Sequence, residues 1–100
     1  MLFDHVALKV NNIQLAVDWY CDALKANVVY QDETWSLLSV GDTKVALVLG
    51  DSHPPHFALR VSCVEDLTDP DRHRDGSMYN YISDPWGNTV ELIYYPEEKN

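Results

Sequence analysis

The stretch His5-Val6-Ala7-Leu8-Lys9-Val10 returns 51 residues later as His56-Phe57-Ala58-Leu59-Arg60-Val61. Four of the six positions are identical and a fifth keeps its positive charge. A weaker echo, 45 residues apart, links Val45-Ala46-Leu47-Val48 to Val90-Glu91-Leu92-Ile93. Both segments alternate in the manner of a half-buried strand, and both keep the same phase in each copy. A chain that writes one strand twice, in order, is constrained to fold as two related units. The deficit of six residues must then fall inside the second unit, between Val61 and Ser77.

Within the first copy, Val6, Leu8 and Val10 point one way, and Phe3, His5, Ala7 and Lys9 the other. Asn11 or Asn12 can cap the helix that follows. Ala16, Trp19, Tyr20, Ala23 and Leu24 have helical spacing and predict an apolar stripe directed at the sheet. The helix should end near Lys25–Asn27, with Asn27 suited to the left-handed conformation. Val28–Gln31, Trp35–Val40 and Lys44–Leu49 read as three short strands separated by turn residues. Unit one, residues 1–50, is therefore β-α-β-β-β, and Gly50–Pro55 is a polar connection.

The second unit, residues 55–96 of the same single domain (1–100), is abbreviated. Cys63–Leu67 can start a helix, but Pro70 limits it to a turn or two. Asp69–Gly76 reads as a charged loop, so a strand could be lost there. Met78–Ser83 and Thr89–Tyr95 are the last strands, joined by Asp84-Pro85-Trp86-Gly87, whose residues fit a type I turn. Pro96–Asn100 reads as a frayed polar tail.

A net charge of −9 repels phosphate backbones, and no Lys/Arg cluster reverses it, so nucleic acid is not expected as a partner. No apolar run reaches the ~20 residues of a membrane helix, and no basic segment followed by an apolar run marks a signal peptide. Cys21 and Cys63 stand apart without CxxC spacing, as reduced thiols of a cytoplasmic protein do. No Gly-rich phosphate loop and no nucleophile with an evident base emerges.

Glu91 interrupts an otherwise apolar strand, and a buried carboxylate needs a partner. The repeat offers one. His5 and His56 open the first strand of each unit on the face away from the aliphatic stripe. Ala7 and Ala58 leave room two residues on. Two imidazoles and one carboxylate form the facial set that holds Fe, Mn or a similar divalent ion. Each of the three also has a structural reading, as a surface or core residue.

Four stretches in order, Asp4–Val10, Trp19-Tyr20, His56–Val61 and Asp84–Ile93, make the chain resemble the glyoxalase/bleomycin-resistance/dioxygenase group, the vicinal oxygen chelate superfamily. The resemblance implies an α+β fold of two βαβββ-type units whose curved mixed sheets enclose a cleft. Family ligand places fall on His5, Ala46, His56 and Glu91. Alanine cannot coordinate, so the four-ligand glyoxalase I pattern is broken at Ala46. The remaining three match three-ligand members, with Fe, Mn, Zn or Ni as the implied ion. The order His73, Tyr81, Asp84-Pro85-Trp86-Gly87, Glu91 is similar to the extradiol dioxygenase signature and marks Tyr81 as a candidate catalytic hydroxyl. Asn80 departs from that signature. On the plainer reading Tyr81 packs in the sheet and His73 lies solvated in a loop.

Two functions follow from the resemblance. One is a metal-dependent enzyme acting on a small oxygen-rich substrate. The other is a metal-free protein that binds a drug or other small molecule in a cleft lined by Ala7, Ala58 and Trp35. Exposed strand edges with Trp35, Trp86, Tyr94 and Tyr95 suggest a homodimer.

Overall fold

The computed structural model describes residues 1–50 and 54–96. The central part of the Gly50–Pro55 connection and the tail after Pro96 lie outside the described residues. The chain divides into two compact units. An N-terminal unit holds His5–His56, and a C-terminal unit holds Met1–Asp4 with the chain from Phe57 onward.

The N-terminal unit contains most of β1 (Leu2–Val10), α1 (Ile13–Leu24), β2 (Asn27–Gln31), β3 (Trp35–Val40) and β4 (Thr43–Leu49). Its strands run in the order β2-β3-β4-β1. β1 and β4 pair in parallel, with Val6 opposite Val45 and Ala7 opposite Ala46. The β3–β4 pair is antiparallel, with Leu38 opposite Val45 and Leu37 opposite Ala46. The sheet is therefore mixed, as expected of a helix crossover between parallel neighbours. One face carries Val6, Leu8, Val10, Leu38, Val45 and Leu47, all packed beneath α1. The other carries His5, Ala7 and Ala46, by the alternation of strand side chains.

Asn12 is the helix cap, accepting a 2.9 Å bond from the Leu15 amide. Three details of α1 differ from the sequence reading. Its inward stripe is Ile13, Ala16, Val17, Tyr20 and Cys21. Trp19 and Leu24 are exposed. The reason is composition: apolar residues occupy nearly the whole circumference of α1, so helical spacing alone does not fix which side faces in. Lys25, with φ 56°, takes the left-handed position, and Asn27 already belongs to β2.

The C-terminal unit contains β5 (His56–Arg60, whose first residue belongs to the other unit), β6 (Asp71–Arg72), β7 (Met78–Ser83) and β8 (Thr89–Tyr94). The order is β5-β8-β7-β6. Among the described residues, one 3-10 turn, Val64–Asp66, stands in place of a second α-helix. The fourth strand has shrunk rather than vanished. β6, inside the segment expected as loop, keeps two residues paired with Met78 and Tyr79. Gly87, at φ 88°, closes the β7–β8 turn with its amide 3.1 Å from the Asp84 carbonyl. Asn80, the odd polar residue of β7, accepts the Thr68 amide at 3.1 Å and so ties the crossover to the sheet. Neither cysteine is in a disulfide.

Candidate metal centre

His5 and His56 belong to one unit and meet there. Their rings lie edge to face with centroids 5.4 Å apart, and the two Nε2 atoms are 3.4 Å apart. His56 is buried, and its Nδ1 lies 2.8 Å from the Pro54 carbonyl. A carbonyl only accepts, so Nδ1 carries a proton and Nε2 is the nitrogen that faces His5. A backbone carbonyl behind the distal nitrogen is the usual support of a metal-binding imidazole.

Glu91 is placed by the other unit. It sits on β8 opposite Tyr81 of β7 and is only 2% exposed. Its Oε2 accepts a 2.8 Å bond from Nε2 of His73. The His73 ring in turn stacks on Tyr79, with centroids 3.7 Å apart and planes 10° apart. His73 follows the two-residue strand β6 and donates its own amide to the Ser77 carbonyl at 2.8 Å. The loop that sequence alone left solvated thus delivers an imidazole to the buried carboxylate. The signal was the two-residue pairing of β6 with β7, too short to show as a pattern.

His5 and His56 of the N-terminal unit and Glu91 of the C-terminal unit each offer one atom that could ligate a metal ion. Tyr81 is half-buried, and burial, followed by the Glu91 charge and Tyr79, pushes its hydroxyl well above the ordinary tyrosine range. Tyr79 is raised too, first by burial and then by Asp71 and Glu91. Both remain neutral phenols that can donate but not act as bases near neutrality.

The other expected residues separate. Ala7 and Ala58 are buried. Trp35 pairs with Val48, which in turn faces Lys9, so it lies two side-chain rows from His5 and packs instead on Tyr30 at 5.0 Å. Tyr95 is occupied within its own unit. Its hydroxyl donates to Asp4 at 3.0 Å, and the Arg60 guanidinium covers its ring at 4.5 Å.

Two related units with matched histidines at their opening strands define an α+β fold built on the βαβββ pattern. The model of the Glyoxalase/Bleomycin resistance protein/Dioxygenase superfamily matches residues 2–68, more than half of the chain. The protein belongs to that superfamily. The match includes His5, Ala46 and His56, while Glu91 lies beyond it. No curated protein matches in sequence. Among solved structures, methylmalonyl-CoA epimerase from Mycobacterium tuberculosis is 22% identical, covers 92% of this chain and 86% of its own, and has a TM-score of 0.70. Streptomyces coelicolor methylmalonyl-CoA epimerase, in complex with 2-nitronate-propionyl-CoA, is 16% identical over 96% of this chain and 98% of its own, at 0.76. A superfamily member from Vibrio splendidus is 16% identical over 89% and 94%, at 0.70. At such identities the likeness establishes the fold alone.

Proposed function

We propose that the protein is a divalent-metal-dependent enzyme acting on a small oxygen-rich organic substrate, as a homodimer. The observation that carries this reading is the His5–His56 pair. Two nitrogens bound at about 2.1 Å to one tetrahedral ion stand roughly 3.4 Å apart, and the two Nε2 atoms are 3.4 Å apart. A direct hydrogen bond between neutral imidazoles would be shorter, near 3.0 Å. His56 already turns the nitrogen that would ligate toward His5. Glu91, the buried carboxylate of the C-terminal unit, would complete the set.

His5, His56 and Glu91 would hold Fe, Mn, Zn or Ni, the ion supplying Lewis-acid polarisation of substrate oxygens. Glu91 offsets part of the ion's charge. Tyr81, across the strand pair from Glu91, would donate a hydrogen bond to substrate, since its raised phenol stays protonated. His73 fixes the orientation of the Glu91 carboxylate through Oε2. Ala46 supplies no fourth ligand, which leaves positions open for two substrate oxygens and sets this chain apart from the glyoxalase I pattern. The epimerases among the structural neighbours make an acyl-thioester a reasonable first substrate class to test.

A second reading is a metal-free binder of a small organic molecule. One observation favours it: the His73–Glu91 bond already satisfies the buried carboxylate without an ion. Metal analysis of protein purified without chelator separates the two. The enzyme reading expects near-stoichiometric divalent metal in wild type and little in His56→Ala. Equal metal in both proteins would defeat it, and metal-free wild type that refuses added Mn, Fe, Zn and Ni would leave the binder.

A further inference from the structure

The two units carry the same row of side chains on the face opposite the histidines. In the N-terminal unit the row is Val6, Val45 and Leu38, in register across three strands and packed under α1. In the C-terminal unit the repeat places Phe57, Val90 and Ile82 at those positions, and Ile82 pairs with Val90 as Leu38 does with Val45. Among the described residues of this unit no α-helix lies above them. The 3-10 turn covers only the Asn80 end, where Leu67 is buried. Phe57 is 40% exposed and Ile82 47% exposed. Phe3 extends the patch, stacked on Phe57 at 6.5 Å and itself exposed.

α1 has the converse surplus. Nine of its twelve residues are apolar, with Gln14, Asp18 and Asp22 forming one narrow polar stripe. Beside that stripe, at i, i+4 and i+8, runs a ridge of Leu15, Trp19 and Ala23 that faces solvent, with Leu15 66% and Trp19 59% exposed. A helix apolar on nearly all sides is ordinarily buried on more than one.

We infer that the Phe57–Val90–Ile82 face is covered by the α1 ridge of a second copy of this chain. The missing helix is thereby replaced by one that has an unused apolar side. Both patches are uncharged, which suits a contact between chains that each carry −9 and repel one another. A half-exposed large side chain leaves roughly 100 Å² to be covered. Ridge and row on one copy therefore offer about 500 Å² of apolar surface, the core of an interface whose standard size is about 800 Å² per partner.

This assigns the surface of the homodimer proposed above and is independent of the metal. Light scattering of the full chain at micromolar concentration should give twice the chain mass. Ile82→Glu and Trp19→Glu should each give a monomer with unchanged far-UV circular dichroism, both positions being exposed in the single chain. A monomeric wild type overturns the inference. So does loss of the dimer in one variant but not the other, because helix and face must fail together. A dimer that survives both substitutions leaves the homodimer standing and removes this surface from it.

Discussion

Setting the two repeats side by side shows how one strand pattern was fitted to two tasks. In the N-terminal unit the row opposite the histidines is closed. Its row Val6–Val45–Leu38 is sealed by a twelve-residue helix, and the position matching Glu91 is Ala46, buried between Ala7 and Leu37. In the C-terminal unit the helix is reduced to a single turn, the same row is open, and Ala46's counterpart is a carboxylate held by His73. The row is closed where the helix is, and the last strand carries a buried charge where it is not. A unit relieved of the task of sealing a core can carry a buried charge on its last strand.

Truncating the two matched positions puts that contrast to its strongest test. Leu38 is fully buried, so Leu38→Ala should destabilise by about 3–5 kcal/mol, the transfer loss plus the cavity left behind. Ile82 stands at the corresponding place and is nearly half exposed. In the separated monomer Ile82→Ala should cost about 0.5–1 kcal/mol. Urea denaturation of both variants, with chain concentration low enough to keep them monomeric, checks the difference. Equal losses would mean that the C-terminal row is sealed as well as the N-terminal one.

How far these differences could be read in the sequence depends on the length of each signal. The repeated hexamer fixed the opening strands, and with it the placement of His5 and His56, because six alternating residues suffice to show a period of two. The same comparison isolated Glu91 against Ala46. Helix phase was lost because Trp19 and Leu24 extend the apolar spacing of α1 as convincingly as Ile13 and Val17 do. Strand β6 has two residues, below any detectable pattern, and with it went the His73–Glu91 contact. That bond depends on a ring stacked against Tyr79, a tertiary fact without local sequence expression.

His73 gives the next largest expected effect. In the N-terminal unit Ala46 needs no partner, whereas Glu91 does, so the two units should respond differently to loss of a hydrogen bond at this level of the sheet. His73→Ala leaves a buried carboxylate oxygen without its 2.8 Å donor and should cost about 1.5–3 kcal/mol. His73→Gln, which retains an N–H donor, should recover part of it. If Glu91 is a ligand, metal affinity measured by isothermal titration calorimetry should fall roughly 10-fold in His73→Ala, as for other supporting residues. Unchanged affinity would mean that His73 holds Glu91 for the fold alone.

The smallest effect concerns the hairpins that close each unit. β3 and β4 are joined through Gly41-Asp42, with Val40 paired to Thr43 and Gly41 at φ 61°. The β7–β8 turn is longer and is pinned by a side chain. Asp84 Oδ1 accepts the Trp86 and Asn88 amides at 2.9 and 2.8 Å, and Oδ2 accepts the Asn88 amide group at 2.8 Å. The Asn88 side-chain bond, with the backbone amides behind it, lowers the Asp84 pKa below the usual carboxylate range. Because the folded value is the lower one, ionised Asp84 favours the fold. That contribution is complete above the unfolded value near 4 and disappears as pH falls through the folded value. Asp84→Asn keeps one acceptor but no charge. Its Tm should lie roughly 2–4 °C below wild type at pH 6, and the gap should close as the pH falls through the lowered range of the folded carboxyl. A gap that persists unchanged at low pH would show that the turn is held by shape, through Gly87 and Pro85, as the shorter hairpin of the other unit is held by Gly41.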